Sequence, residues 1–190
     1  MGRVIPFRSP RVHHEERAAS LGMALFLGSC TMLFAPLFAA YLRTRGASWP
    51  DAAPGSSPAL TVLGTAGVAT ACVALHAGLS ALRLGQTPLL VPRLGGALLG
   101  ALVVLGAEAA ECARLADAAH GAPLPALFVG ITALHAAFVL VALLGLGWLL
   151  GRALRGAYVP ARHLPVRLWA MYWNFVAALW AAAVVVIHRP

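Results

Sequence analysis

Residues Leu124–Leu150 read LPALFVGITALHAAFVLVALLGLGWLL, a stretch without a charged residue and with a single histidine. A helix crosses a roughly 30 Å hydrocarbon core with about 20 mainly apolar residues, so this run is long enough to span a bilayer. Four more runs pass the same test, at about 19–42, 59–82, 94–112 and 168–187. The segments between the runs are RTRGASWPDAAPGSSP, RLGQTPLLVPR, ARLADAAHGAP and GRALRGAYVPARHLPVR. They hold the helix breakers and most of the charge, and none is long enough to be a folded domain. The expected fold is all-α: a polytopic membrane protein with one domain over 19–190 built from five transmembrane helices. The preceding segment 1–18, MGRVIPFRSPRVHHEERA, is polar and basic with no apolar core of its own. It reads as a disordered or surface-lying arm and not as a cleavable signal.

Composition excludes the soluble classes. The 190 residues are 61% hydrophobic and 11% charged, where a soluble domain carries about 45–50% apolar and about 25% charged residues. The net charge of +8 and pI near 11 would ordinarily suggest a nucleic-acid partner. That reading fails because the arginines form no basic face; they sit in the short gaps between uncharged runs, as in membrane loops. Ten arginines (Arg3, Arg8, Arg11, Arg17, Arg83, Arg93, Arg152, Arg155, Arg162, Arg167) fall on the amino-terminal side of the membrane and four (Arg43, Arg45, Arg114, Arg189) on the other. The positive-inside rule then sets the amino terminus in the cytoplasm and the carboxyl terminus in the periplasm. Trp49, Trp148 and Trp169, near span ends, suit interfacial anchoring. Lysine-free, Ala/Leu/Gly/Arg-rich usage hints at a high-GC bacterial genome, and the expected location is a bacterial inner membrane.

Cys30, Cys72 and Cys112 lie in or beside apolar runs without CxxC spacing, so small buried thiols are expected and not a disulfide framework or a zinc site. Spans two and three are dense in small residues, which lets helix backbones approach closely in lipid. Gly64, Gly67, Gly95, Gly96 and Gly100 are the expected contact points, with Gly96 and Gly100 at small-xxx-small spacing. No heptad or longer repeat is apparent.

Charged and polar groups inside a span are costly and so are the first candidates for function. Glu108 and Glu111 stand three apart on one helix face near the end of the third run. One reading makes them a proton or cation site. The other, which we favour from sequence, leaves them at the interface, hydrated or paired with Arg114. His76 and His135 lie within spans two and four. Haem and copper sites in helix bundles need paired or clustered ligands, and no HxxxH, ExxH or CxxxC occurs here, so interhelical hydrogen bonding is the expected role. His13 and His14 belong to the arm and should be solvated. Ser29, Cys30 and Thr31 form a polar island in the first span, followed by Pro36, which removes a backbone hydrogen bond and can kink the helix.

Taken in order, these runs resemble subunit III of haem-copper terminal oxidases in its shorter five-helix form, over about residue 21 to the end. The most specific likeness is LGMALFLGSCTMLFAPLFAAYLRTRGASWP, similar to that family's opening helix with its FAAY stretch and following Trp-Pro. RLGGALLGALVVLGAEAAECARL is similar to the family helix with Gln and Glu three apart, with Glu108 at the Gln position and Glu111 at the Glu. GITALHAAFVLVALLGLGWLL resembles the helix with a Gly-Phe-His-Gly-Leu-His-type motif and keeps Gly130, Leu134 and His135. MYWNFVAALW resembles a Tyr-Trp-His-Phe-Val-Asp-type signature and keeps Tyr172, Trp173, Phe175, Val176 and Trp180. The departures are that Cys30 stands at the usual Glu, Thr132 or Ala133 at the first His, Asn174 at the His after Trp173, and Ala177 at the Asp. A role of that Glu in proton uptake is therefore not carried over.

The resemblance implies an accessory, non-catalytic subunit of a proton-pumping oxidase of the cytochrome c oxidase type. Such a subunit packs against subunit I and other oxidase subunits and supports oxygen reduction to water. Haem and copper are then expected in the partner subunits and no redox cofactor in this chain, with membrane phospholipid as a structural companion. Candidate polar and packing positions are Glu108, Glu111, His135, His76, Gly96, Gly100 and Trp173. The alternatives are an accessory subunit of nitric oxide reductase, which shares the fold, and a small transporter or channel. The latter would show discontinuous or repeated helices with polar groups at mid-membrane.

Overall fold

The computed structural model describes residues 10–48, 57–121, 123–160 and 163–188. It contains five α-helices: α1 Pro10–Ser48, α2 Pro58–Arg83, α3 Leu90–Gly121, α4 Pro123–Leu154 and α5 Leu164–His188, with a short 3-10 turn at Thr87–Leu89 leading into α3. All five are long and apolar enough to cross a membrane, and there is no strand among the described residues. The chain is thus an all-helical, multi-pass membrane protein by length and composition.

Every helix outruns the apolar stretch that announces it. α1 has 39 residues, which at 1.5 Å per residue makes ~58 Å, about twice the hydrocarbon thickness. Hydropathy falls where the hydrocarbon ends, whereas backbone hydrogen bonding continues into the interface. Two expectations are corrected accordingly. Residues 10–18 are the first turns of α1 and not a disordered stretch; residues 1–9 of the arm, like Trp49, lie outside the described residues. The ARLADAAHGAP segment is likewise helical to Gly121, and α4 begins at Pro123.

Local chemistry sets the ends. Pro58 and Pro123 open their helices, where the missing N–H would have had no intrahelical acceptor. α2 and α4 stop in the same way, on a glycine in the left-handed region: Gly85 at φ 80° and Gly156 at φ 68°. Beyond them Gln86 N donates to Ala81 O at 2.9 Å and Ala157 N to Arg152 O at 3.1 Å. Each bond satisfies a carbonyl that the helix end would leave unpaired. The α1 helix runs unbroken through Pro36, and its polar island is satisfied internally, Ser29 donating to Leu25 O and Thr31 to Leu27 O.

α3 packs on α2 along one side and on α4 along the other, while α5 lies against α4 and α2, and α1 against α4 and α5. The buried positions of α3 include Leu90, Leu94, Ala97, Ala101, Val104, Glu108, Glu111 and Leu115, an alternation of four and three, with Gly100 and Ala107 buried beside them. α4 follows nearly the same rhythm through Phe128, Ile131, His135, Val139, Ala142, Leu146 and Leu149. The heptad-like seam that the sequence reading did not find is therefore present. It is invisible in hydropathy because the lipid-facing side is as apolar as the packed side.

The α2–α3 crossing depends on glycine. A Cβ at Gly100 would stand 2.7 Å from Gly67 O and 2.8 Å from Ala71 N, and one at Gly67 2.8 Å from Gly100 O. Gly64 instead receives the Trp180 ring, 2.5 Å from where its Cβ would be. Gly96 meets only Ala74 Cβ at 3.4 Å, and Gly95, expected to be a contact point, has nothing within 4 Å. Trp169, expected to be an interfacial anchor, packs its ring where a Gly145 side chain would lie and edge-on to Tyr172. Trp148 is half exposed beside the Arg152 guanidinium, as an anchor should be.

Apolar burial divides into two clusters. The larger joins α2 to α5 through residues such as Leu75, Leu82, Leu94, Leu146 and Val166. The smaller gathers Tyr41, Leu115, Leu124, Phe128 and Ile131, at the end of the bundle where α1, α3 and α5 finish and α4 begins. α1 joins the bundle by one stripe, Leu27, Phe34, Tyr41 and Arg45, and leaves Leu21, Leu25, Phe26, Met32 and Leu33 exposed. Arg45, only 8% exposed, donates from Nη1 to Val186 O at 3.1 Å and Ile187 O at 3.3 Å. A cation is thereby held on the carbonyl end of α5, where the helix dipole favours it.

Candidate functional site

The polar residues meet where the apolar core divides. Glu108 on α3 and His135 on α4 are each 2% exposed, and Glu108 Oε1 is hydrogen-bonded to His135 Nδ1. On the far side of the ring, His135 Nε2 lies 3.0 Å from Val176 O on α5. A carbonyl oxygen only accepts, so Nε2 carries a hydrogen. Nδ1 is then the acceptor of the neutral ring, and the bond to Glu108 needs one further proton, held by the carboxyl group or by the imidazole. In either form the pair is electrically neutral as a unit. That makes it tolerable in a low-dielectric interior, where a lone charge is not.

Glu111, one turn further along α3, accepts at Oε1 from Ser57 N at 2.9 Å and from Arg114 Nη2 at 2.9 Å. The backbone just before α2 is thus tied to the end of α3. Trp180 on α5 closes the arrangement: its Nε1 donates to Thr65 Oγ1 on α2 at 3.1 Å, and its ring centroid stands 5.7 Å from that of His135. Four helices are linked through three polar residues and an indole. A cleft runs beside them and is lined by Glu108, Glu111, His135, Thr61, Thr132 and Trp180 among apolar neighbours.

The structure thus joins Glu108 with His135 and separates Glu111 from both as a second, outer site. For Glu111 the pairing with Arg114 is as read from the sequence; for Glu108 it is not, since its partner comes from another helix. His135 makes the interhelical bonds expected of it. His76 is exposed on α2, where Nδ1 donates to Cys72 O at 2.8 Å and Nε2 faces Asn174 Nδ2 at 3.4 Å, away from the cleft. His14 is exposed, as expected. Gly100 belongs to the α2–α3 crossing, Gly96 to its looser margin, and Trp173, 1% exposed, to the larger core. The cysteines are free, Cys30 buried and Cys72 and Cys112 half-buried.

Sequence reasoning missed Ser57, Thr65 and Arg45. Ser57 contributes only its backbone N–H, which no side-chain pattern signals. Arg45, just past an apolar run, is a recognisable signal of a partner at a span end, though not of which partner. Among the described residues no three His, Cys, Asp or Glu side chains gather to hold a metal ion. Compared with protein-family models and with curated proteins, the chain gives no match.

Proposed function

We propose that the chain is an accessory, non-catalytic subunit of a haem-copper terminal oxidase of the subunit III type, packed against catalytic subunit I in a bacterial inner membrane. The observation that carries this reading is the bond between Glu108 and His135. The resemblance picks out these two positions from the motifs of two different helices, Glu108 at the family's Gln position and His135 at a kept His, and the fold brings them into contact. A second support is the broad apolar face of α1, which suits a lipid or protein neighbour better than water. In this reading haem and copper reside in partner subunits, phospholipid fills the remaining surface, and the amino terminus is cytoplasmic. The transporter alternative is weakened because each described span is one uninterrupted helix.

The test is purification of the tagged full chain from its native membranes in mild detergent. The expected result is a co-purifying haem protein with the oxidised-minus-reduced spectrum of a haem-copper centre and oxygen consumption with a reduced donor. Nitric oxide consumption instead would transfer the chain to the nitric oxide reductase alternative. Recovery without any haem protein would remove both.

A further inference from the structure

The cleft beside the Glu108–His135 pair is lined mostly by apolar atoms, and the few polar groups beside it are of one kind. Oε2 of Glu108 and Oε2 of Glu111 are both buried and have no hydrogen-bond partner among the described residues. The Thr132 hydroxyl uses its hydrogen on Phe128 O at 3.0 Å and the Thr61 hydroxyl on Ser57 O at 3.2 Å, while the Trp180 N–H is engaged by Thr65. The atoms of the polar lining residues that remain without a partner are therefore hydrogen-bond acceptors, and an occupant that satisfies them must be a donor. Fixed charge is already balanced, Glu111 by Arg114 and Glu108 by the proton it shares with His135, so a bare cation is not the group that fits. Water, which supplies two donors and no charge, is. A buried carboxylate oxygen without a partner is costly, and the two Oε2 acceptors, one helical turn apart on a lining that is otherwise mostly apolar, give a water molecule its polar partners.

We infer that this cleft is water-filled, and that through it the proton shared by Glu108 and His135 exchanges with the aqueous phase at the end of the bundle where α3 finishes and α4 begins. The outermost lining residues indicate the direction. Leu60 and Thr61 stand in the first turn of α2 and Ile187 in the last turn of α5, at that end. Glu111 lies between the mouth and Glu108. With the shared proton on the carboxyl group, rotation about the Cγ–Cδ bond of Glu108 turns that O–H from His135 Nδ1 toward the cleft, where it exchanges for a proton of water, and the reverse rotation returns the exchanged proton to Nδ1. The pair stays neutral throughout, and the His135 Nε2–H stays on Val176 O. The other titratable groups near the pair among the described residues are Glu111 in the cleft lining, Arg114 bonded to it, and Cys112 beside both carboxyl groups on α3. The lining from α2 and α5, Leu60, Thr61, Trp180, Ala183, Val184 and Ile187, contains none.

Two measurements on the full chain in lipid nanodiscs test this, and the inference holds or fails whichever complex the chain serves. In a background with Cys30, Cys72 and Cys112 replaced by alanine, Thr132→Cys inside the cleft is compared with Ala133→Cys, the exposed neighbour on the outer side of the same turn. The probe is a charged, membrane-impermeant methanethiosulfonate, which reacts with thiolates, and a thiol in lipid does not ionise. Thr132→Cys is expected to react on the order of tenfold or more faster, and equal rates would overturn the proposal. In parallel, infrared bands of the pair are assigned by their loss in Glu108→Gln and in His135→Gln. They are expected to shift as soon as the unmodified chain is moved into deuterated buffer, and more slowly in Ala183→Phe or Val184→Phe, which fill the cleft. Bands that remain unshifted in the unmodified chain, or that shift equally fast with the cleft filled, would also overturn it.

Discussion

Gly100→Ala adds one carbon at the tightest point of the bundle, and its cost follows from what that carbon meets. The new Cβ would stand 2.7 Å from Gly67 O, 2.8 Å from Ala71 N and 3.0 Å from Ala71 Cβ, well inside the about 3.5–4.0 Å at which non-bonded atoms rest. Two of the three obstacles are backbone atoms, so no rotamer change relieves them and α2 and α3 must separate. Overpacking costs about 1–3 kcal/mol, and the backbone contact puts this case near ~3 kcal/mol, about a hundredfold in a folding equilibrium. Separation is costly here because close packing and interhelical bonds hold helices together in lipid, and the apolar effect contributes little. Gly95→Ala on the same helix is the internal control: with nothing within 4 Å it should be neutral, or more stable by up to about 1 kcal/mol through helix propensity. Gly96→Ala, at 3.4 Å from Ala74 Cβ, should fall between. Reversible unfolding in mixed micelles, followed by tryptophan emission, measures all three. If Gly100→Ala proves as stable as Gly95→Ala, the crossing is not held by these backbones and the argument is wrong.

The Glu108–His135 bond should behave as a coupled unit. Glu108→Leu and His135→Leu should each destabilise the bundle by about 1–3 kcal/mol, because each strands a buried partner, and the double variant should cost less than their sum. Additive losses in the same unfolding assay would mean that the two side chains do not interact. Orientation is expected to follow the arginine bias, so reporter fusions after residue 190 should be active in the periplasm and those after Arg155 in the cytoplasm; the reverse pattern would invert the assignment.

How much of this was legible in the sequence depended on whether lipid or protein imposed the constraint. The number and order of the helices could be read because a fixed hydrocarbon thickness demands a minimum apolar length. Their ends could not, since α1 and α3 continue well past the end of the apolar runs at Leu42 and Cys112. Which face of each helix packs was hidden as well: Gly96 and Gly100 share a stripe by spacing, but only Gly100 falls at the crossing, and that depends on where the axes meet. Glu111 and Arg114 could be paired from their separation of three. Glu108 and His135 are 27 positions apart on different helices, and only the fold brings them together. Trp169 sat where an anchor is expected, yet Gly145 opened a space for its ring that nothing local announces.

The way α1 docks has a consequence for biogenesis. α2, α3 and α4 each meet the preceding or following helix, so they can pair as hairpins soon after they leave the ribosome. Among the described residues α1 has no such neighbour: its stripe fits α4 and α5, and about 140 residues of chain separate its end at Ser48 from the end of α5 at His188. At roughly 5–20 residues per second of synthesis, its docking surface is complete only about 7–28 s after α1 itself has been made. During that interval Arg45 has no α5 carbonyls to bind and must reach along its methylenes to the headgroup region, a posture that a long side chain near a helix end allows. The helix made first is thus the one assembled last, and a truncated chain lacking α5 would leave it exposed to the membrane's quality-control proteases with its docking stripe unused.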